Sequence, residues 1–203
     1  MTTRPEPSLA ERKRRLVSDE LTETALNLFA RHGFDAVTVD EIAASAGMSK
    51  RTFFRYFASK EDVVVQFLAD LGAGMRAELA ARPPEESPST ALRHAVRSSV
   101  DACAGHTDRA LRVVRLILGT PALHARFLER QAQWRDDLAA ELASRLALPS
   151  PAGLYPRLAA GLSLTVFETV LQLWSASDGT EDPADLTARA FTAVAPALDT
   201  ADR

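Results

Sequence analysis

The sequence predicts an all-α protein of about nine helices, and three observations point to that class. Apolar residues recur at the i, i+3, i+4, i+7 spacing of helices in nearly every candidate segment. No stretch carries the sustained polar and apolar alternation, enriched in β-branched residues, that a half-buried strand needs. Several periodic segments open with a cap residue followed by proline, as in Thr120-Pro121 and Asp182-Pro183, where proline starts a helix instead of breaking one.

Taken in order, the first helix is expected over residues 11–31. Leu21, Ala25, Leu28 and Phe29 form its apolar stripe, and Gly33 supplies a left-handed C-terminal residue. Thr38 and Glu41 then have the spacing of a capping box, with Val37 and Ile42 as the hydrophobic staple around it. The second helix ends at the short turn Ala46-Gly47-Met48. Ser49 caps a third helix, and Met48 and Phe53 are spaced as a second staple. Ser59 with Asp62 opens a longer fourth helix bearing Val63, Phe67, Leu68, Leu71, Met75 and Leu79 on one side. Residues 82–88 hold three prolines and no apolar side chain, which makes them a loop, with Pro88 at the first position of the next helix. Five more helices are expected at about 89–104, 108–118, 121–146, 155–177 and 183–198. The chain thus reads as a three-helix domain over residues 1–60 and a helical bundle over 61–203.

The composition, with 46% hydrophobic and 25% charged residues in 203, is that of an ordinary water-soluble protein of one or two domains. No window approaches about 20 uninterrupted apolar residues, and residues 1–15 are polar and basic without an apolar run behind them. A cytoplasmic protein without a membrane segment is expected. Cys103 is the only cysteine, which excludes an intramolecular disulfide and leaves no Cys or His at metal-ligand spacing. The net charge of −3 is unevenly spread. Residues 1–60 carry ten Lys and Arg against eight Asp and Glu, the remainder fourteen against nineteen, and Lys13, Lys50 and Lys60 all lie in the first part. A basic end on an acidic body suits a protein that touches phosphate with one end only; ordinary surface charge is the alternative. His94, Cys103 and His106 form the densest group of potential catalytic residues. No base and nucleophile spacing, metal motif or phosphate loop accompanies them, so neither an enzyme nor a cofactor is expected.

Residues 38–57 place a scaffold helix, a glycine turn and a second helix in the order of a helix-turn-helix, whose second helix enters the major groove of DNA. The wording is more specific than the spacing. Ala25-Leu26-x-Leu28-Phe29-Ala30-x-x-Gly33-Phe34, Thr38-Val39-x-x-Ile42-Ala43, Ala46-Gly47-Met48-Ser49 and Phe53-Phe54-x-Tyr56-Phe57-x-Ser59-Lys60-Glu61 resemble the N-terminal domain of TetR-family repressors over about residues 16–65. The resemblance implies a homodimer on double-stranded operator DNA. It places Ser49, Lys50, Arg51 and Thr52 at base edges and adjacent phosphates, with Thr38 and Lys60 as phosphate clamps and Tyr56 as a hydroxyl contact. The residue types suit this: Arg offers a bidentate fork to guanine, Lys a point charge, and a capped helix start directs N–H groups at phosphate. Phe54 departs from the family pattern, in which many members have tyrosine here. It cannot donate a hydrogen bond, and Arg55 beside it can take over the phosphate contact. Arg14 and Arg15, within the run Arg12-Lys13-Arg14-Arg15, offer an arm along the backbone or into an A/T-rich minor groove, or simple solubility.

Residues 111–146, from Leu111-Arg112-Val113-Val114-Arg115-Leu116-Ile117 through Trp134 to Leu146, are similar to the C-terminal domain of the TetR branch typified by the mycofactocin-system regulator. That resemblance implies an acyl-CoA-like effector. Candidate ligand contacts are Arg97, Arg112, Arg115, Trp134, Phe167 and Glu168, with His94, Thr165 and Gln172 as further inward polar groups. For Trp134 and Phe167 the competing reading is plain core, and for Arg112 and Arg115, three apart on an otherwise apolar helix, it is pairing with Glu129 or another carboxylate. Helix eight is apolar around most of its circumference, which calls for a partner on two sides. The family implies that helices eight and nine form the dimer seam. The expected mechanism is two-state: a small apolar or amphipathic ligand binds the C-terminal bundle and changes the separation of two recognition helices that must meet half-sites about 34–36 Å apart or a multiple of it, and so releases a repressor. A ligand-dependent activator, or an interaction protein of this fold that has lost DNA binding, are the alternatives.

Overall fold

The structure, a computed structural model, describes residues 8–104, 107–148 and 153–200. Among the described residues it holds nine α-helices and no strand: α1 (Leu9–His32), α2 (Val39–Ser45), α3 (Lys50–Tyr56), α4 (Lys60–Ala81), α5 (Pro88–Ala104), α6 (Thr107–Gly119), α7 (Pro121–Arg145), α8 (Leu154–Ala176) and α9 (Pro183–Leu198). Two compact units divide within α4, between Phe67 and Leu68.

Local chemistry sets the boundaries in the first unit. α1 begins two residues before the expected start, because Ser8 and Glu11 form a capping box: Glu11 N–H donates to Ser8 Oγ at 3.2 Å and Ser8 N–H to Glu11 Oε2 at 2.7 Å. Its buried face is Leu21, Ala25 and Phe29, one turn apart, with Leu26 in place of the expected Leu28. Gly33 ends the helix by donating its N–H to Phe29 O at 2.9 Å. Its φ of +84° and ψ of 153° are not left-handed helical, however, but lie in a region that essentially only glycine enters. α2 ends in a Schellman motif, with Met48 N–H donating to Ala43 O at 2.8 Å, Gly47 N–H to Ala44 O at 3.0 Å, and Gly47 at φ +67°. Phe29, Phe34, Val37, Ile42, Ala43, Phe53 and Phe57 are all buried, and they lock α1, α2 and α3 around one small core.

In the second unit α7 packs on α8, α8 on α9 and α5 on α9, with α6 against α7. The centre is aromatic. Phe127, Trp134 and Phe167 stand edge-on or tilted at centroid separations of 5.9, 6.1 and 6.5 Å, the geometry that ring quadrupoles favour. α8 is long and apolar enough by length and composition to cross a membrane, but half of its most apolar window is buried in this unit, which makes it a core helix. The ends of the bundle are tied by side chains. Ser89 donates its N–H and its hydroxyl to the two Asp199 oxygens at 2.9 and 2.7 Å, and the Arg145 guanidinium donates to the carbonyls of Arg82, Pro83 and Glu86 in the α4–α5 loop.

The Thr38 cap yields a direct test. Its N–H and then its hydroxyl bind the Glu41 carboxylate and hold it below the ordinary value of 4.5. Because the folded value is the depressed one, this contribution is complete above pH 4.5 and lost as pH falls through the folded value. Thr38→Ala is expected to lower the unfolding free energy by about 1 kcal/mol in urea melts at pH 7, with the gap to wild type narrowing below pH 4.5. A constant gap across that range means that the Thr38 hydroxyl does not contribute to the Glu41 shift and that the backbone N–H alone carries it.

Candidate functional site

The solvent side of α3 carries three cationic side chains, Lys50, Arg51 and Arg55. Ser49 caps the helix, accepting the Thr52 N–H at 3.0 Å, and the two hydroxyls lie 2.9 Å apart, so both side chains are engaged locally. Phe53 and Phe57 turn inward and are buried, which leaves Lys50, Arg51, Phe54 and Arg55 on the outer face. Arg51 has no ion pair or hydrogen bond among the described side chains. Arg55 lies over the Tyr56 ring, 5.1 Å from its centroid, with the Tyr56 hydroxyl 3.4 Å from its Nη2. Phe54 is 49% exposed and packs edge-on against Phe53 at 5.6 Å. Lys50 Nζ pairs with Asp40 Oδ2 of α2 at 2.8 Å, a solvent-exposed contact that a phosphate can replace at little cost.

Two expectations change. Lys60 does not present its ammonium to phosphate: Nζ donates to the carbonyls of Phe34 at 2.8 Å, Val37 at 3.0 Å and Asp35 at 3.3 Å, and stands 4.6 Å from the Phe34 ring centroid. An ammonium has three protons, and all three have acceptors inside the unit. Arg14 and Arg15 lie on α1, exposed, Arg15 with Asp19 at 3.9 Å. They therefore belong to a helix and not to an extended arm. Thr38 keeps its hydroxyl in the capping box, donating to Glu41 Oε2 at 2.8 Å.

In the second unit none of the cavities lined by described residues gathers the six ligand candidates. Trp134 and Phe167 sit together in the aromatic core. Glu168 accepts from Gln131 at 3.2 Å and Gln172 at 3.1 Å. Arg97 pairs with Asp101 along α5. Arg112 is exposed, and Arg115 donates to Ser175 O and Asp178 rather than to Glu129, which pairs with Arg126. Thr165 donates back to Gly161 O on the outer face of α8. Of the catalytic group considered from the sequence, His94 is half-buried, while the Cys103 side chain and His106 lie outside the described residues. No metal-binding cluster occurs among the described residues. What sequence reasoning missed is a cavity of about 300 Å³ between α4 and α7, lined by Ala69, Ala73, Arg76, Arg130, Gln133, Trp134 and Asp137. The Trp134 indole N–H is buried without a partner, a condition that costs about 1–3 kcal/mol.

Comparison with known proteins accounts for this arrangement. Residues 21–67 match the family of bacterial regulatory proteins, tetR family, and residues 86–199 match the MftR C-terminal domain. The chain is 33% identical to the HTH-type transcriptional regulator TcmR of Streptomyces glaucescens over 174 residues, covering 83% of this chain and 77% of that protein. It is 34% identical over 145 residues to MftR of Mycobacterium tuberculosis, a regulator named for mycofactocin biosynthesis, covering 70% and 71%. The transcriptional regulator FadR of Bacillus subtilis, solved in complex with stearoyl-CoA, shares the fold with a TM-score of 0.65 at 18% identity, covering 91% of this chain and 99% of that one. The protein belongs to the TetR family: it is a DNA-binding transcriptional regulator and not an enzyme.

The Lys60 clasp separates a structural role from a DNA contact. Lys60→Met is expected to destabilise the protein by about 1–3 kcal/mol, the worth of hydrogen bonds to a charged group, measured by urea unfolding in the absence of DNA. Unchanged stability with weakened DNA binding would return Lys60 to the phosphate-contact set.

Proposed function

We propose that the protein is a homodimeric repressor in the cytoplasm, released from its operator by an amphipathic, acyl-CoA-like effector. Residues 1–60 bind DNA; residues 61–203 bind the effector and form the dimer. The observation that carries the DNA half is the outer face of α3, where Lys50, Arg51 and Arg55 stand exposed on a helix fixed by its buried aromatic side. In this reading Arg51 meets base edges, Lys50 exchanges Asp40 for phosphate, and Ser49, Thr52, Arg55, Tyr56 and Thr38 lie along the backbone, with Arg14 and Arg15 reaching phosphates from α1. The effector half draws on the MftR-like C-terminal domain and on a fold shared with a regulator that holds stearoyl-CoA. The dimer half draws on α8, whose Leu154, Leu158 and Leu173 are 78%, 61% and 51% exposed, with Thr165 and Thr169 continuing that face. Large apolar side chains at helical spacing on an outer face are what a partner helix covers.

The test is fluorescence anisotropy with duplexes flanking the protein's own gene, across a salt series and with decanoyl-CoA. Arg51→Ala is expected to weaken binding about tenfold or more and to blur discrimination at one base position. Arg14→Ala should weaken all duplexes alike and lower the salt slope by about 1. Phe54→Tyr, which adds a hydroxyl, should tighten binding without altering that slope. If DNA affinity is indifferent to Arg51→Ala, α3 is not the reading element; if it is indifferent to decanoyl-CoA, the effector class is wrong.

A further inference from the structure

Among the described residues of α2 and α3, Phe54 is the one large apolar side chain left exposed. Its aromatic neighbours Phe53 and Phe57 are buried, and Phe53 supports the Phe54 ring edge-on, at 5.6 Å with the two planes 89° apart. The ring is therefore held in place while half of its surface stays in water. A lone apolar residue at a protein surface is ordinary. The company that Phe54 keeps is less so.

Phe54 follows Lys50 by four residues and Arg51 by three, so the three side chains share one exposed face of α3. The ring stands about 4.5–6 Å further along the helix axis than these two cations. Arg55 stands beside it, over the Tyr56 ring. The hydroxyls at the start of the helix are occupied, since Ser49 and Thr52 are joined in the cap. The result is an apolar patch bounded by cations. The same face of a second copy would be repelled by it. A phosphate oxygen gains nothing from the phenyl ring, which donates no hydrogen bond and whose π face is itself negative. The major groove of duplex DNA has the complementary pattern: anionic phosphates flank it, and on its floor thymine alone presents a methyl group among the donors and acceptors of the base edges.

We propose that Phe54 is a specificity-determining residue, its exposed ring packing on the C5-methyl group of a thymine within two base pairs of the base that Arg51 meets. This assignment rests on the reading of α3 as the element that faces DNA, and adds to it a base selected without a hydrogen bond. The spacing sets the distance, because Phe54 lies most of a turn beyond Arg51 while successive base pairs are about 3.4 Å apart. Apolar contact with the thymine methyl is a recognised means of direct readout. Removing one methyl group from water against a ring is worth about fourfold in affinity.

The experiment is fluorescence anisotropy of the full-length protein with the shortest duplex that it binds from the DNA flanking its gene. Each thymine is replaced in turn by deoxyuridine, which keeps the hydrogen-bonding edge and lacks the methyl group. Each guanine is replaced by 7-deazaguanine, which lacks the N7 acceptor. At one thymine position deoxyuridine is expected to weaken binding by wild type about fourfold, and the same replacement should make no difference to Phe54→Ala. Phe54→Tyr keeps the ring and should keep the whole methyl effect. Far-UV circular dichroism, with an unchanged response of Phe54→Ala to 7-deazaguanine, checks that this variant folds and docks as wild type does. If deoxyuridine is neutral at every position in wild type, the ring meets no thymine methyl and the proposal is overturned; Phe54→Ala weakening all duplexes alike would then place the ring on the sugar–phosphate backbone. A deoxyuridine effect of equal size in wild type and in Phe54→Ala overturns it too. In either case a 7-deazaguanine effect that disappears in Arg51→Ala leaves α3 standing as the reading element. If no base replacement acts through Arg51 or through Phe54, the reading of α3 and the role of Phe54 fail together.

Discussion

Three backbone carbonyls in the connection between α1 and α2 point at one ammonium group. Phe34, Asp35 and Val37 lie where no helix supplies them with an N–H, and backbone groups left in that condition are costly. Lys60, the first residue of α4 and more than twenty positions further along the chain, supplies all three. The aromatic side of the same connection is held from beneath, where Phe34 packs on Phe29 at 4.9 Å. With both sides of the connection fixed, Thr38 is delivered to the N-cap of α2. The Schellman turn at Gly47 then sets where α3 begins.

The outer face of α3 inherits its rigidity from that chain of constraints. Its buried aromatics, Phe53 and Phe57, hold the helix so that Lys50, Arg51 and Arg55 face water together. The acidic partner of Lys50 tempers the face, since Asp40 pairs with its ammonium at 2.8 Å. Phe54 adds an apolar ring where a hydroxyl would have offered a backbone contact. The exposed polar groups of this face are therefore guanidinium and ammonium more than hydroxyl.

Most of the helix boundaries were legible because they depend on contacts three or four residues long. The Thr38–Glu41 box, the Ser49 cap and the Asp182-Pro183 start all sit where their spacing puts them. Ser8 and Glu11 have the same spacing and could have been read the same way, which would have placed Arg14 and Arg15 firmly inside α1. The destination of Lys60 was not legible, because a lysine that clamps phosphate and one that clasps a loop have the same local sequence. The effector side was less legible still. Trp134 and Phe167 look alike on an apolar helix face, yet Phe167 is wholly enclosed while Trp134 borders a cavity. Gly72, which admits the indole, is separated from it by 62 positions, a pairing that periodicity does not reveal.

Lys60 holds the α1–α2 connection, and Lys50 is the lysine proposed to meet DNA. Because the chain holds only three lysines, Lys13, Lys50 and Lys60, its side-chain ammonium spectrum by nitrogen-15 NMR is simple enough to assign by single substitution. Recorded with and without operator duplex, it should show a Lys60 signal protected from solvent exchange and unmoved by DNA, with the Lys50 signal shifting as its partner changes from Asp40 to phosphate. A Lys60 signal that exchanges freely and shifts together with Lys50 on adding duplex would contradict the account.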